Sequence, residues 1–196
     1  MPEIALFERL RLLLRGRSVG LRAELPPGHA PPRPAAVLVP LFQHAGTLRL
    51  LLTRRTDGLS QHPGQISFPG GSCDATDPDF CTTALREAEE ELGLRREDVD
   101  VLGPLDLCDT LTNFRVAPYV GVIPWPYPFR PHEAEVAELL DLPLEGFLAE
   151  GALQTDEREV LGLRREVVGY TVEGRLVWGA TGRITQQLIE LIRPLM

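Results

Sequence analysis

The sequence contains little cysteine and no long hydrophobic run. Its three cysteines, Cys73, Cys81 and Cys108, are odd in number and lack the spacing of a zinc site. We expect them to be reduced thiols that behave as small buried hydrophobes in a cytoplasmic protein. The apolar stretch Ile4–Leu14 is interrupted by charged residues and is too short for a signal peptide core or a membrane span. These absences predict a cytoplasmic location and no membrane partner.

Positive charge is also scarce. The chain has 20 Lys and Arg residues against 28 Asp and Glu residues, which gives a formal net charge of −8. Because binding to duplex nucleic acid depends on phosphate neutralisation by Lys and Arg, this balance argues against nucleic acid as a partner. Small anionic substrates remain possible, since a bound metal ion would supply positive charge locally. A hydrophobic content of 43% in 196 residues is sufficient for a buried core.

The pattern of apolar residues predicts one domain with an N-terminal extension. Residues 1–34 are expected to form a helix over 3–15 and then an extended, proline-rich connector. Residues 35–196 are expected to form a single α/β (α+β) domain with a mixed sheet covered on both faces, because strand and helix patterns alternate irregularly. Strands are predicted over 35–42, 48–53, 65–68, 101–107, 116–123 and 135–142, a hairpin over 170–178, and helices over 144–150 and 181–195.

A run of glutamates marks the most informative helix of the chain. Asp77 is expected to cap this helix and Gly93 to end it. Glu87, Glu90 and Glu91 are spaced i, i+3 and i+4, so their carboxylates converge on one face. Three anions in one turn repel one another unless a cation lies between them, and such hard oxygen ligands suit Mg²⁺ or Mn²⁺. The spacing therefore predicts a divalent-metal site that acts on phosphates, against the alternative of a solvated helix face.

Two features next to the glutamates fit such a site. The Gly70-Gly71 turn allows the backbone to approach closely, so the Gly71 carbonyl is a candidate to complete the metal coordination shell. A plain turn is the alternative interpretation. Arg86 is a candidate either to bind a substrate phosphate or to hold the glutamates in place through charge-assisted hydrogen bonds.

The segment Arg86–Leu94, REAEEELGL, resembles the second half of the Nudix box, REUxEExGU, at every specified position. The first half of the box differs in two places. Five residues after Gly71 the chain has Asp77 where Glu is expected, and eight residues rather than seven then precede Arg86. The resemblance implies a Nudix-type αβα sandwich with a mixed central sheet and an enzyme that hydrolyses a pyrophosphate.

The same resemblance implies a metal and a set of catalytic residues. Mg²⁺ or Mn²⁺ would be the cofactor, held by Glu87, Glu90 and Glu91. Glu87 or Glu90 would deprotonate the metal-bound water, with Arg86 as their partner. Some Nudix enzymes use a carboxylate from a distant loop instead, and the candidates for that role here are Glu133, Glu135 and Glu138.

The region upstream of the box is similar to the signature of the coenzyme A pyrophosphatase branch, LLTxR(S/A)x3Rx3Gx3FPGG. The matching segments are Leu51–Arg55, Gly64 and Phe68–Gly71, and the chain differs at Thr56 and at Ser60, where Arg is expected. This resemblance implies hydrolysis of coenzyme A or its derivatives to 3′,5′-ADP and 4′-phosphopantetheine or its acyl form.

Several residues are candidates for contacting such a small-molecule nucleotide substrate. Arg54 and Arg55 are candidates for phosphate binding, and His62 for a hydrogen bond to substrate or water. Ser60 occupies the position of the missing signature Arg. Arg115, with its neighbours in the 113–115 segment, is a candidate to line the pocket.

Two other functions remain open from the sequence. The first keeps the enzyme but changes the substrate to another nucleoside diphosphate, such as ADP-ribose, or to an oxidised nucleotide. The second is a Nudix-fold module without catalysis, which binds a nucleotide and regulates a partner. The chain is expected to be a monomer or a homodimer.

Overall fold

The structure, a computed structural model, describes residues 2–22, 30–58, 62–110, 112–160 and 163–196. Within these residues the helices are α1 Pro2–Gly16, α2 Phe80–Leu92, α3 Leu144–Leu148 and α4 Gly179–Ile192, with short 3-10 helices at Arg96–Asp98 and Arg193–Leu195. The strands are β1 Leu21–Arg22, β2 Arg33–His44, β3 Thr47–Arg55, β4 Ile66–Ser67, β5 Gly70–Ser72, β6 Asp100–Pro104, β7 Leu107–Asp109, β8 Phe114–Val122, β9 Val136–Pro143, β10 Leu153–Val160, β11 Leu163–Val172 and β12 Arg175–Trp178. No helix of the described residues is long and apolar enough to cross a membrane.

The strand β2 organises a mixed sheet. It pairs antiparallel with β3 through a tight turn at Ala45-Gly46 and runs parallel to β8 from Arg33 to Leu41. The strand order of this sheet is β1-β7-β8-β2-β3-β4, in which the pairs β1–β7 and β2–β8 are parallel. In addition, β5 pairs with β2, β6 with β8 and β9 with β3. The mixed α+β architecture predicted from the sequence is therefore confirmed. A second, antiparallel sheet is formed by β10, β11 and β12.

Alternation along β3 divides the core between the two faces of the main sheet. Leu51 packs in the cluster that contains Ala84 and Ala88 of α2, whereas Leu50 and Leu52 belong to the other cluster. That second cluster also contains buried residues of α1, α4 and the second sheet. Helices thus cover both faces of the sheet. At the end of β3, successive side chains also point to opposite faces.

Several predicted boundaries differ from the observed ones. Asp79, rather than Asp77, is the N-cap of α2, because its carboxylate accepts the Thr82 N–H at 2.7 Å. The predicted strand over 101–107 is two strands, β6 and β7, separated at Asp106. The Asp106 carboxylate accepts hydrogen bonds from the Gly20 N–H and from Arg17 and Arg22, which attach the N-terminal segment to this break.

Two observed strands were not predicted, and the predicted connector is described only in part. The strand β1 has only two residues, and β10 carries the mostly polar sequence LQTDEREV, so neither has the hydrophobic alternation that identifies a strand. Of the predicted connector, Pro26 and Pro27 lie outside the described residues, and Pro34 already belongs to β2.

Candidate active site at the glutamate helix

The helix α2 lies flat on the sheet through small side chains. Ala84 and Ala88 are fully buried, and Leu92 closes the same face. The helix ends at Gly93 (φ 67°), whose N–H donates to the Glu89 carbonyl at 2.8 Å. Because the apolar face is occupied by the sheet, the glutamates are directed along one side of the helix.

Of the acids on this helix, Glu91 is buried and Glu87 is half-buried. Glu91 is only 7% exposed, and burial, followed by repulsion from Glu87 and Glu135, raises the pKa of its carboxyl to about 8. The charge of Arg55 and the Gly70 N–H act in the opposite direction. Burial also raises the pKa of Glu87, against the hydrogen bond from Arg86. Without a bound cation, the site therefore disfavours the charged form of both carboxyls.

Arg86 connects the glutamates to the segment that precedes the helix. Its Nη1 donates to Glu87 Oε1 at 2.8 Å and to Glu90 Oε2 at 3.1 Å, and its Nη2 donates to the Ser72 carbonyl at 3.0 Å. Nη2 also donates to Asp77 Oδ2 at 2.9 Å, and the Asp77 side chain is 5% exposed. Of the two roles considered for Arg86, these contacts favour holding the glutamates in place.

Asp77 is a second anchor for the same arginine. Its carboxylate accepts hydrogen bonds from Arg86, from the Asp74 N–H at 3.0 Å and from the Thr83 hydroxyl at 2.8 Å. The Arg86 guanidinium and these donors hold the pKa of Asp77 well below its usual range. The residue that departs from the family pattern thus provides an ionised partner for Arg86.

Other parts of the chain approach both glycines of β5 closely, a side chain at one glycine and backbone at the other. A Cβ on Gly71 would lie 2.6 Å from the Glu87 carboxyl group. A Cβ on Gly70 would lie 2.4 Å from the Ala36 carbonyl oxygen and 2.6 Å from Val37 Cα. Gly71 therefore leaves room for the Glu87 carboxylate, whereas Gly70 leaves room for the backbone of β2.

Substituting each glycine by alanine is expected to separate activity from stability. In Gly71→Ala, we expect the flexible end of Glu87 to move aside, so that the fold is kept. Turnover is expected to fall about 10- to 100-fold, because the Glu87 carboxylate is displaced. In Gly70→Ala, the clash is with backbone, and we expect a loss of about 3 kcal/mol of unfolding free energy. Urea unfolding and turnover of both variants test this; equal losses of stability would contradict it.

A second wall of the site comes from the segment before β9. The Arg130 N–H donates to the Leu92 carbonyl at 2.7 Å and the His132 N–H to the Glu91 carbonyl at 2.8 Å, so this segment takes up free carbonyls at the end of α2. A cavity of about 270 Å³ lies between the walls. It is lined by Glu87, Glu90, Glu91, His132 and Glu135.

The distant carboxylates predicted from the sequence have different positions. Glu135 lines the cavity, and Glu133 is exposed on the same turn. Glu138 lies on the other face of β9, where it accepts hydrogen bonds from Arg54 and Arg175. His132 was not predicted, because a single histidine among charged residues carries no pattern that a sequence could reveal.

The predicted substrate-binding residues are also dispersed. Arg55 lies on the α2 side of β3, close enough to influence Glu91, whereas Arg54 lies on the opposite side and is paired with Glu138. Arg115 forms a two-pronged pair with the buried carboxylate of Asp109, at 2.7 and 2.9 Å. His62 is exposed, with φ 54°, on the loop before β4, and Ser60 lies outside the described residues.

The donor set fits a divalent cation. Carboxylate oxygens and the nearby Gly71 backbone are the hard ligands that Mg²⁺ and Mn²⁺ prefer. The half-buried carboxyl of Glu87 and the buried carboxyl of Glu91 repel each other, and a bound cation would relieve this repulsion. In the part of the chain that the structure describes, no three His, Cys, Asp or Glu side chains are already arranged to hold an ion. Arg86 instead holds Glu87 and Glu90.

Comparison with known proteins agrees with this geometry. The family model of the NUDIX domain matches residues 31–163. The chain belongs to the Nudix hydrolase family. It is 43% identical over 168 residues to a protein of Pectobacterium atrosepticum described as the uncharacterized Nudix hydrolase NudL, covering 84% of this chain and 87% of that protein. A protein of Cronobacter sakazakii with the same description is 40% identical, covering 80% and 81%.

A solved structure supports the fold alone. The MutT/nudix family protein from Enterococcus faecalis superposes with a TM-score of 0.54 at 17% identity, over 87% of this chain and 66% of that one. The enzyme class follows from the family: this Nudix hydrolase acts on small, nucleotide-like substrates that carry a pyrophosphate. Nudix hydrolases generally use divalent metal ions such as Mg²⁺ or Mn²⁺.

Proposed function

We propose that this Nudix hydrolase cleaves the pyrophosphate of coenzyme A or of its derivatives. Water adds across the P–O–P linkage, and the products are 3′,5′-ADP and 4′-phosphopantetheine or its acyl form. The main support is the position of the segments that resemble the coenzyme A branch. β3 carries Leu51–Arg55, β4 pairs with Thr53 and Arg54, and β5 brings Gly71 against Glu87.

Arg55 is the proposed phosphate-binding residue of this site. It lies on the same side of the sheet as α2, and among the residues that the structure describes its buried Nε has no hydrogen-bond partner. A buried guanidinium nitrogen without a partner is costly, so an anionic ligand that accepts from it would be favoured. Arg54 is a weaker candidate than the sequence indicated, because its Nε already donates to Glu138 at 3.2 Å.

Glu87, Glu90 and Glu91, with the Gly71 carbonyl, are the proposed metal ligands. The bound Mg²⁺ or Mn²⁺ would neutralise the phosphates and acidify a water molecule. Arg86 holds Glu87 and Glu90 in place, at 2.8 and 3.1 Å. Glu135 is the proposed general base, because it lines the cavity opposite α2, whereas Glu138 is paired with two arginines on the other face of the sheet.

A substrate panel tests the proposal. Turnover of coenzyme A, dephospho-coenzyme A, ADP-ribose, diadenosine polyphosphate and 8-oxo-dGTP would be measured with Mg²⁺ and with Mn²⁺, and the products identified by mass. We expect release of 3′,5′-ADP from coenzyme A. Cleavage of ADP-ribose or of 8-oxo-dGTP instead would keep the Nudix enzyme and discard the coenzyme A assignment. Nucleotide binding without any turnover would favour a regulatory module.

A further inference from the structure

The turn that carries His132 and Glu135 is held in place by its backbone on two sides. The His132 N–H donates to Glu91 at the end of α2, and the Thr56 N–H donates to the Glu135 carbonyl at 3.0 Å. Within the turn, the Glu135 and Val136 N–H groups both donate to the His132 carbonyl at 2.9 Å. The backbone therefore fixes the relative position of His132 and Glu135 before any side chain is considered.

The two side chains approach each other where they line the cavity. His132 Nδ1 lies 3.3 Å from Glu135 Oε1, and both residues line the same cavity as the box glutamates. The Glu135 side chain is 43% exposed, so packing alone does not restrict its rotamers. A hydrogen bond from the imidazole is the contact that would select one of them.

We propose that His132 is a positioning residue for Glu135. The imidazole donates its Nδ1–H to one oxygen of the Glu135 carboxylate, and the other oxygen stays available to the attacking water. When the water attacks phosphorus, a new P–O bond forms, the bridging P–O bond of the pyrophosphate breaks, and the other phosphate departs with the electron pair of that bond. The proton of the water passes to the second oxygen of Glu135, and the Nδ1–H stays on His132. This inference rests on the proposed role of Glu135 as general base, but not on coenzyme A as the substrate.

A double-mutant cycle tests this inference. His132→Leu removes the donor, Glu135→Gln removes the base, and the double variant combines them. Because misplacing a catalytic group costs about 10- to 100-fold, we expect His132→Leu to lower kcat by about 10-fold with KM unchanged. In the Glu135→Gln background, the same substitution should change kcat less than about twofold, since a positioning residue has nothing left to position.

Two further variants define the mechanism. His132→Asn keeps an N–H donor at nearly the same place and is expected to recover most of the lost kcat. His44→Asn is the matched control, since His44 is exposed at the end of β2 beside Trp125 and does not line the cavity. Its kcat should equal that of the wild type.

Three results would overturn the inference. They are losses that multiply in the double variant, a rise in KM with kcat unchanged, and no recovery with Asn. Each would indicate that His132 contacts the substrate itself or has no role. The double-mutant cycle is measured on whichever substrate of the panel is cleaved. It can therefore be carried out even if coenzyme A is not the substrate, and a failure of the coenzyme A assignment is distinguished from a failure of the role of His132.

Discussion

Glu91→Gln is expected to fold as stably as the wild type and to lose at least about 100-fold in turnover. The carboxyl of Glu91 is 7% exposed, with its pKa raised to about 8 by burial and by the neighbouring acids. Without a cation, it is therefore mostly protonated at neutral pH, and glutamine has nearly the shape and polarity of that form. Catalysis is different, because the amide cannot supply the negative charge that a divalent ion requires.

The matched control for this variant is Glu89→Gln on the same helix. Glu89 is paired with the exposed Arg96 at 2.7 Å and does not line the cavity. Both variants would be compared in turnover at several Mg²⁺ concentrations and in urea unfolding without metal. Glu91→Gln with near-normal turnover, or Glu89→Gln with an equal loss, would remove Glu91 from the proposed metal site.

Arg86→Lys is expected to lose both stability and activity. The guanidinium makes contacts in several directions at once, to Asp77, Glu87, Glu90 and the Ser72 carbonyl. A lysine ammonium at the end of an unbranched chain cannot reach all of them together. Losing charge-assisted hydrogen bonds of this kind costs about 2 kcal/mol of unfolding free energy, and turnover should fall at least about 100-fold because two glutamates lose their partner.

The Arg86–Asp77 ion pair also predicts the direction of a pH effect on stability. The pKa of Asp77 is held well below its usual range, first by the hydrogen bonds from Arg86. The folded protein therefore holds this carboxylate ionised to lower pH than the unfolded chain does. The resulting stabilisation is complete above pH about 4, the ordinary value for Asp, and is lost as the pH falls further. Arg86→Lys should weaken this dependence.

The control for Arg86→Lys is Arg95→Lys. Arg95 also forms a two-pronged pair, with Asp98 at 2.8 and 2.9 Å, but its side chain is 61% exposed and lies outside the cavity. Exposed pairs contribute little, so stability and turnover should both be nearly unchanged. Urea unfolding between pH 3 and 7 and steady-state kinetics of the two variants provide the comparison. Equal behaviour would mean that Arg86 forms only a surface pair.

The sequence alone indicated the glutamate helix correctly, because helical spacing is a local property. Residues three and four apart share a face whatever surrounds the helix, so Glu87, Glu90 and Glu91 could be grouped without a structure. The predicted cap, Asp77, was wrong, since Asp77 and Asp79 both precede the helix and a local pattern does not choose between them. The folded structure makes Asp79 the cap and Asp77 the partner of Arg86.

The partners of the helix are a matter of tertiary structure. Arg54 and Arg55 are adjacent in the sequence, yet alternation along β3 directs Arg55 towards α2 and Arg54 towards Glu138. Which side of the sheet holds α2 follows from packing over the whole core, which no local pattern encodes. The chain sequence therefore determined the residue types and spacing of the acid helix. The tertiary structure decided that Glu135 and His132, more than forty positions further along, form the opposite wall of its cavity.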